Sequence, residues 1–246
     1  MSGHSKWATI KHKKAATDAR RGKLFTKILR EITVAARLGG GDPKSSPRLR
    51  AAVLEARSNS VPGDTIERAI KKGTGELEGE AYEEVIYEGY GPGGVAVLVE
   101  GVTDNRNRTA SEVRNLFARH GGSLGANGCV AWMFTRKGHF VIEQSAMDEE
   151  KFMELALDLG ADDIATEDDY EIFTAVEDFN RVQEELERRG VPLLVKELAM
   201  IPSTTVAVAA ERAKSILRLM EVLEDQDDVQ NVWANFDVDE KVAAAQ

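Results

Sequence analysis

The sequence predicts an α+β multidomain protein. An N-terminal three-helix bundle with a basic arm is followed by two α+β (ferredoxin-like) domains, the third inserted into the second. Three observations predict this. Apolar residues keep a helical spacing up to a Gly/Glu-rich segment at 73–80 and form strand-like runs after it. Residues 139–199 read β-α-β-β-α-β, the ferredoxin-like order. The helix and strand beyond them complete the otherwise unfinished ββαβ unit of residues 82–134. The predicted division is 1–75, then 80–135 together with 203–240, with 136–202 inserted.

The first helix is predicted over 24–38, where Phe25, Ile28, Leu29, Ile32, Ala35 and Ala36 fall on one face and Gly39-Gly40-Gly41-Asp42-Pro43 stops it. The second begins at Pro47 with Ser46 as its N-cap, burying Leu49, Ala52, Val53 and Ala56. The third follows Pro62-Gly63. Asp64 and Glu67 have capping-box spacing, and Ile66, Ala69 and Ile70 turn inward. Residues 4–23 have little to bury and read as an arm or a loosely docked helix.

Beyond the linker, 84–87 and 95–102 read as strands around a glycine-rich turn, and 108–120 as a helix with Val113, Leu116 and Phe117 inward. Strands are expected at 129–134, 139–142, 163–166, 171–176 and 193–199, and helices at 149–159 and 179–189. A helix at 209–223 and a strand at 229–238 close the chain.

Charge is distributed unevenly along this plan. Net charge is -10, yet residues 1–30 hold nine Lys/Arg and one acidic residue. Residues 1–75 carry 17 basic and six acidic groups, leaving 15 and 36 for residues 76–246. Such a sign reversal suggests a polyanion partner for the basic end, and solubility or repulsion of non-specific nucleic acid for the acidic remainder. The candidate phosphate ligands are Lys6, Lys11, Lys13, Lys14, Arg20, Arg21, Lys23, Lys27 and Arg30. Trp7 and His12 lie among them and can stack on bases. A membrane surface fits less well, because residues 4–23 lack an apolar face. A single cysteine, Cys129, excludes an intrachain disulfide and suggests a reducing, cytoplasmic setting.

Other motifs are weaker. Gly89-Tyr90-Gly91-Pro92-Gly93-Gly94 satisfies G-x-G-x-x-G, but a strand follows it, so a hairpin loop is expected and no dinucleotide site. Asp104-Asn105-Arg106-Asn107-Arg108-Thr109 precedes a helix. Asn105 or Asn107 can cap that helix, and Arg106 and Arg108 make a second candidate anion site beside its free N–H groups. The four histidines have no metal-ligand spacing, and Cys129 reads as a buried thiol in a strand. No enzyme, cofactor, metal or small-molecule substrate is expected.

Gly3-His4-Ser5-Lys6-Trp7, Lys11-His12-Lys13-Lys14-Ala15-Ala16 and Arg21-Gly22-Lys23-Leu24-Phe25-Thr26-Lys27 resemble the opening of the YebC/PmpR family. Residues 87–94 and 103–109 resemble its middle blocks, and Asn231-Val232-Trp233-Ala234-Asn235-Phe236-Asp237 its closing strand. The resemblance implies a three-domain bacterial cytoplasmic protein, a DNA-binding transcriptional regulator. It also implies a rival role: related mitochondrial proteins act as translational activators, and bacterial members are linked to ribosomes stalled on proline-rich sequences. It implies no catalytic residues.

Overall fold

The computed structural model describes residues 18–238, with side chains given for 22–209 and 211–238. The first unit is three helices, α1 (Asp18–Gly39), α2 (Pro47–Ser58) and α3 (Gly63–Thr74). Ile28, Ile32, Ala35, Leu49, Val53, Ala56, Ile66 and Ala69 form its core. Ser46 caps α2 as predicted, its hydroxyl accepting the Leu49 N–H at 3.3 Å. The proposed Asp64 cap does not form. Pro62 is the N-cap of α3, its carbonyl accepting from Thr65 and Ile66, and Asp64 sits inside the first turn, 3.5 Å from Arg68. A carboxylate there still favours the positive helix end.

Helical backbone already runs from Asp18, the first described residue, ahead of the predicted position 24, so Arg20, Arg21 and Lys23 belong to α1. Ala, Arg and Lys are good helix formers. At Gly73 the packing is closest: a Cβ there would stand 2.3 Å from the Thr33 carbonyl oxygen, so α3 crosses α1 at backbone contact.

The central sheet starts with the hairpin β1 (Glu83–Gly91) and β2 (Val95–Thr103), joined by a 3-10 turn at Pro92–Gly94. Gly93 and Gly94 adopt φ of 84° and 79°, a turn conformation that a side chain disfavours. The predicted hairpin therefore holds, and no helix N-terminus faces the glycines. Helix α4 (Arg106–Arg119) follows, then the short β3 (Ser123–Leu124) on the far edge of β1.

A second antiparallel sheet spans β4 (Phe134–Ile142), β5 (Asp163–Ala165), β6 (Tyr170–Thr174) and β7 (Val195–Pro202) in the order β5-β6-β4-β7. Helices α5 (Glu149–Leu159) and α6 (Phe179–Arg188) cover one face, giving the ferredoxin-like arrangement. After β8 (Val206–Ala207), the chain returns through α7 (Ala210–Glu224) to β9 (Val229–Ala234) and β10 (Phe236–Asp237). Strand β9 pairs with β2, so the central sheet reads β3-β1-β2-β9. Val97, Val99, Val113, Phe117, Ile216 and Met220 pack between it and helices α4 and α7.

The strand expected at 129–134 is a correction. Residues 131–133 form a 3-10 turn, and the strand runs unbroken from Phe134 to Ile142. The buried Glu88 carboxylate explains this: it accepts the N–H groups of Gly128 (2.6 Å), Val130 (2.8 Å) and Ala131 (2.7 Å). Those donors are withdrawn from any strand ladder. Cys129 accordingly lies in a loop and is only partly buried.

Candidate nucleic-acid interface

The predicted contact residues divide into two groups. Lys6, Trp7, Lys11, His12, Lys13 and Lys14 lie outside the described residues, as do the side chains of Arg20 and Arg21. Lys23, Lys27 and Arg30 are described. Their i, i+4, i+7 spacing puts them on one face of α1.

That face meets the C-terminal end of α7. The Lys23 ammonium donates to the Asp225 carbonyl at 2.8 Å, Lys27 to the Glu224 carbonyl at 2.5 Å, and Arg30 to the Asp227 carbonyl at 2.5 Å. The Glu224 and Asp225 carbonyls are acceptors a helix C-terminus leaves over, at the negative end of its dipole, and Asp227 lies just beyond it. Arg30 also donates to the Asp228 carboxylate at 2.7 Å, and its guanidinium stands 5.4 Å from the centre of the Tyr82 ring.

Asp228 is the hub of this junction, its side chain only 2% exposed. Its second oxygen accepts from Thr109 (2.6 Å), Arg108 (2.8 Å) and, at longer range, Thr103 (3.3 Å). Burial pushes the Asp228 carboxyl up, but hydrogen bonds from Thr109 and Arg108 and the charges of Arg30 and Arg108 outweigh it. The net direction is downward. A second tie lies nearby: Arg48 on α2 pairs with Glu31 of α1 at 2.6 Å and with Glu84 of β1 at 2.7 Å.

The second candidate anion site takes a definite form. Asn105 caps α4, accepting the Arg108 N–H at 3.1 Å. Arg108 reaches Asp104 and Asp228, and Arg106 lies 3.5 Å from Glu83. The anions these arginines meet are carboxylates of the same chain.

The bundle carries other cations that the motif-based reading did not single out. Arg37, Lys44, Arg50, Arg57, Lys71 and Lys72 are exposed. No carboxylate among the described residues pairs with any of them. The charge excess of residues 1–75 was their only signal in the sequence. On α2, Arg50, Leu54 and Arg57 share one solvent face.

Sequence profiles describing the TACO1/YebC protein N-terminal domain and the TACO1/YebC second and third domain match residues 5–76 and 82–236. The chain belongs to the TACO1/YebC family. A relative from Syntrophobacter fumaroxidans named "probable transcriptional regulatory protein" is 59% identical over 244 residues, covering 98% of each chain. One of the same description from Natranaerobius thermophilus is 57% identical over 246 residues, again covering 98% of each. Among solved structures, a conserved hypothetical protein from Aquifex aeolicus superimposes with a TM-score of 0.85 at 51% identity, covering 96% of this chain and 98% of that one. Family membership and the α+β fold therefore agree with the resemblance read from the sequence, and the relatives' names support a role as a regulator. Among the described residues, no helix is long and apolar enough to cross a membrane.

Proposed function

We propose that the chain is a non-enzymatic, cytoplasmic, nucleic-acid-binding regulator of gene expression, a DNA-binding transcriptional regulator. The observation that carries this reading is the concentration of nine basic residues against one acidic residue in positions 1–30 of an acidic protein. The names of the relatives support it. In this reading residues 1–75 form the binding unit, 80–135 with 203–240 a central α+β domain, and 136–202 an inserted one. Lys6, Lys11, Lys13, Lys14, Arg20 and Arg21 neutralise phosphates and release counterions, while Trp7 and His12 stack on bases. Exposed Arg50, Arg57, Lys71 and Lys72 extend the basic surface.

Two groups that could do chemistry are committed elsewhere, which favours binding over catalysis. His139 is buried, 2.9 Å from Glu171 and stacked on Phe173. The Cys129 thiol is pushed up by burial and by the Glu88 charge, away from a reactive thiolate.

The rival reading is a ribosome-associated factor that binds RNA. One observation favours it: residues 4–23 read in the sequence as a basic segment carrying Trp7 and His12 rather than a compact helix pair with a recognition helix, which suits unpaired bases of RNA. Sedimentation of lysate on a sucrose gradient, with and without nuclease, separates the two. Regulation on DNA predicts absence from ribosome fractions and a footprint on a defined promoter. Nuclease-sensitive co-migration with ribosomes at physiological salt contradicts it and establishes the rival.

A further inference from the structure

The stripe Lys23, Lys27 and Arg30 has cationic chemistry suited to phosphate, yet it is engaged within the chain. The segment that engages it is Glu224-Asp225-Gln226-Asp227-Asp228, four carboxylates in five residues. The acceptor atoms are largely backbone carbonyls at and just beyond the α7 terminus. Two of the carboxylates have little structural duty. The Asp225 side chain is exposed and only 4.0 Å at closest from Lys23, and that of Asp227 is exposed with no partner among the described residues. They place negative charge beside the basic stripe without holding the fold together. A phosphate approaching Lys23 or Lys27 in this arrangement meets like charge on the same side.

We propose that the Glu224–Asp228 segment acts as an internal stand-in for nucleic acid, occupying the Lys23–Lys27–Arg30 stripe in cis and excluding phosphates until it is displaced. The proposal rests on the nucleic-acid reading above and adds regulation to it. Asp228 is tied to Arg108, Thr109 and Arg30, so it anchors the contact. Lys23, bonded at an exposed surface, and the half-buried Lys27 beside it are the exchangeable part. A weak polyanion then meets only the arm and the outer bundle surface. A ligand long enough to reach further along α1 competes for Lys23 and Lys27, and is bound more tightly for it.

The test uses the full chain and a 20-nucleotide single-stranded oligouridylate, with binding followed by fluorescence anisotropy over a salt series. The variant Asp225→Asn/Asp227→Asn keeps every backbone acceptor and removes two charges. It binds about tenfold tighter at low salt, and its salt slope steepens by about 1.4, as expected for two further phosphate contacts on a single strand. The charge-matched control Glu150→Gln/Glu154→Gln, on the exposed face of α5, changes affinity by less than about twofold. Adding Lys23→Gln/Lys27→Gln to the Asn variant cancels the gain. Equal effects in the two charge-matched variants, or a gain that survives loss of both lysines, overturns the stand-in and leaves only general repulsion. If the wild type and every variant fail to bind, both the nucleic-acid reading and this proposal fall.

Discussion

The Arg30 guanidinium lies 2.7 Å from the Asp228 carboxylate, joining the first helix of the bundle to the turn before the last strand of the central sheet, 198 positions away in sequence. Both side chains are largely withdrawn from water, so this pair is not a surface ion pair of negligible effect. Breaking a buried pair leaves an uncompensated charge. Asp228→Asn is expected to cost about 3–5 kcal/mol of stability, measured by urea unfolding at neutral pH. A cost below about 1 kcal/mol would show that the junction is looser than the geometry implies.

The same pair sets a pH dependence. The folded-state Asp228 pKa is depressed, because the bonds from Thr109 and Arg108 and the charge of Arg30 outweigh burial. Its contribution is therefore fully present above the unfolded aspartate value of about 4 and is lost as pH falls through the lower folded value. The stability gap between wild type and Asp228→Asn should narrow on acidification below pH of about 4 and stay constant between about 6 and 8. A gap that widens in acid contradicts the assignment.

Glu88 makes a separate prediction. Burial raises its carboxyl pKa, but the three N–H groups of Gly128, Val130 and Ala131 outweigh burial and lower it. Glu88→Gln presents one acceptor oxygen and an amide donor to three donors, costing about 1–3 kcal/mol. The loop also carries the exposed Trp132, whose indole N–H donates to the Cys129 carbonyl at 3.2 Å. Thiol-reagent labelling of Cys129 should accelerate in the variant, and unchanged labelling would count against Glu88 as the organiser of the loop.

Gly73→Ala tests the helix crossing. Its Cβ would stand 2.3 Å from the Thr33 carbonyl oxygen and 2.7 Å from the Ala36 methyl, so α1 and α3 must separate. A loss of about 1–3 kcal/mol is expected in thermal or chemical unfolding. Gly63→Ala, with nothing within 4 Å of its added Cβ, serves as the tolerant control.

These sites show where the sequence was legible. Helix α5 was readable to the residue because its apolar face is continuous and Gly160, at φ of 70°, ends it in the left-handed conformation. The β4–β7 sheet followed from element order alone. The loop at 125–133 was not readable, since its strand-like apolar run is overridden by a carboxylate some 40 positions earlier. Asp64 failed as a cap because Pro62 already supplies the turn. The charge of Lys23, Lys27 and Arg30 was plain in the sequence, but their partners were hidden in a generally acidic background. Nothing local distinguishes Asp228 from its neighbours until the fold places Thr103, Arg108 and Thr109 around it.

The measurement that bears most directly on the central claim is a salt titration of nucleic-acid binding by the full chain, compared with Lys11→Glu/Lys13→Glu/Lys14→Glu. Electrostatic binding through the basic end predicts that log affinity falls linearly with log salt. It predicts that the triple variant loses measurable binding, and that any residual binding shows a shallower slope. Binding that survives the triple change with an unaltered slope would contradict the account and move the contact surface away from the N-terminal segment.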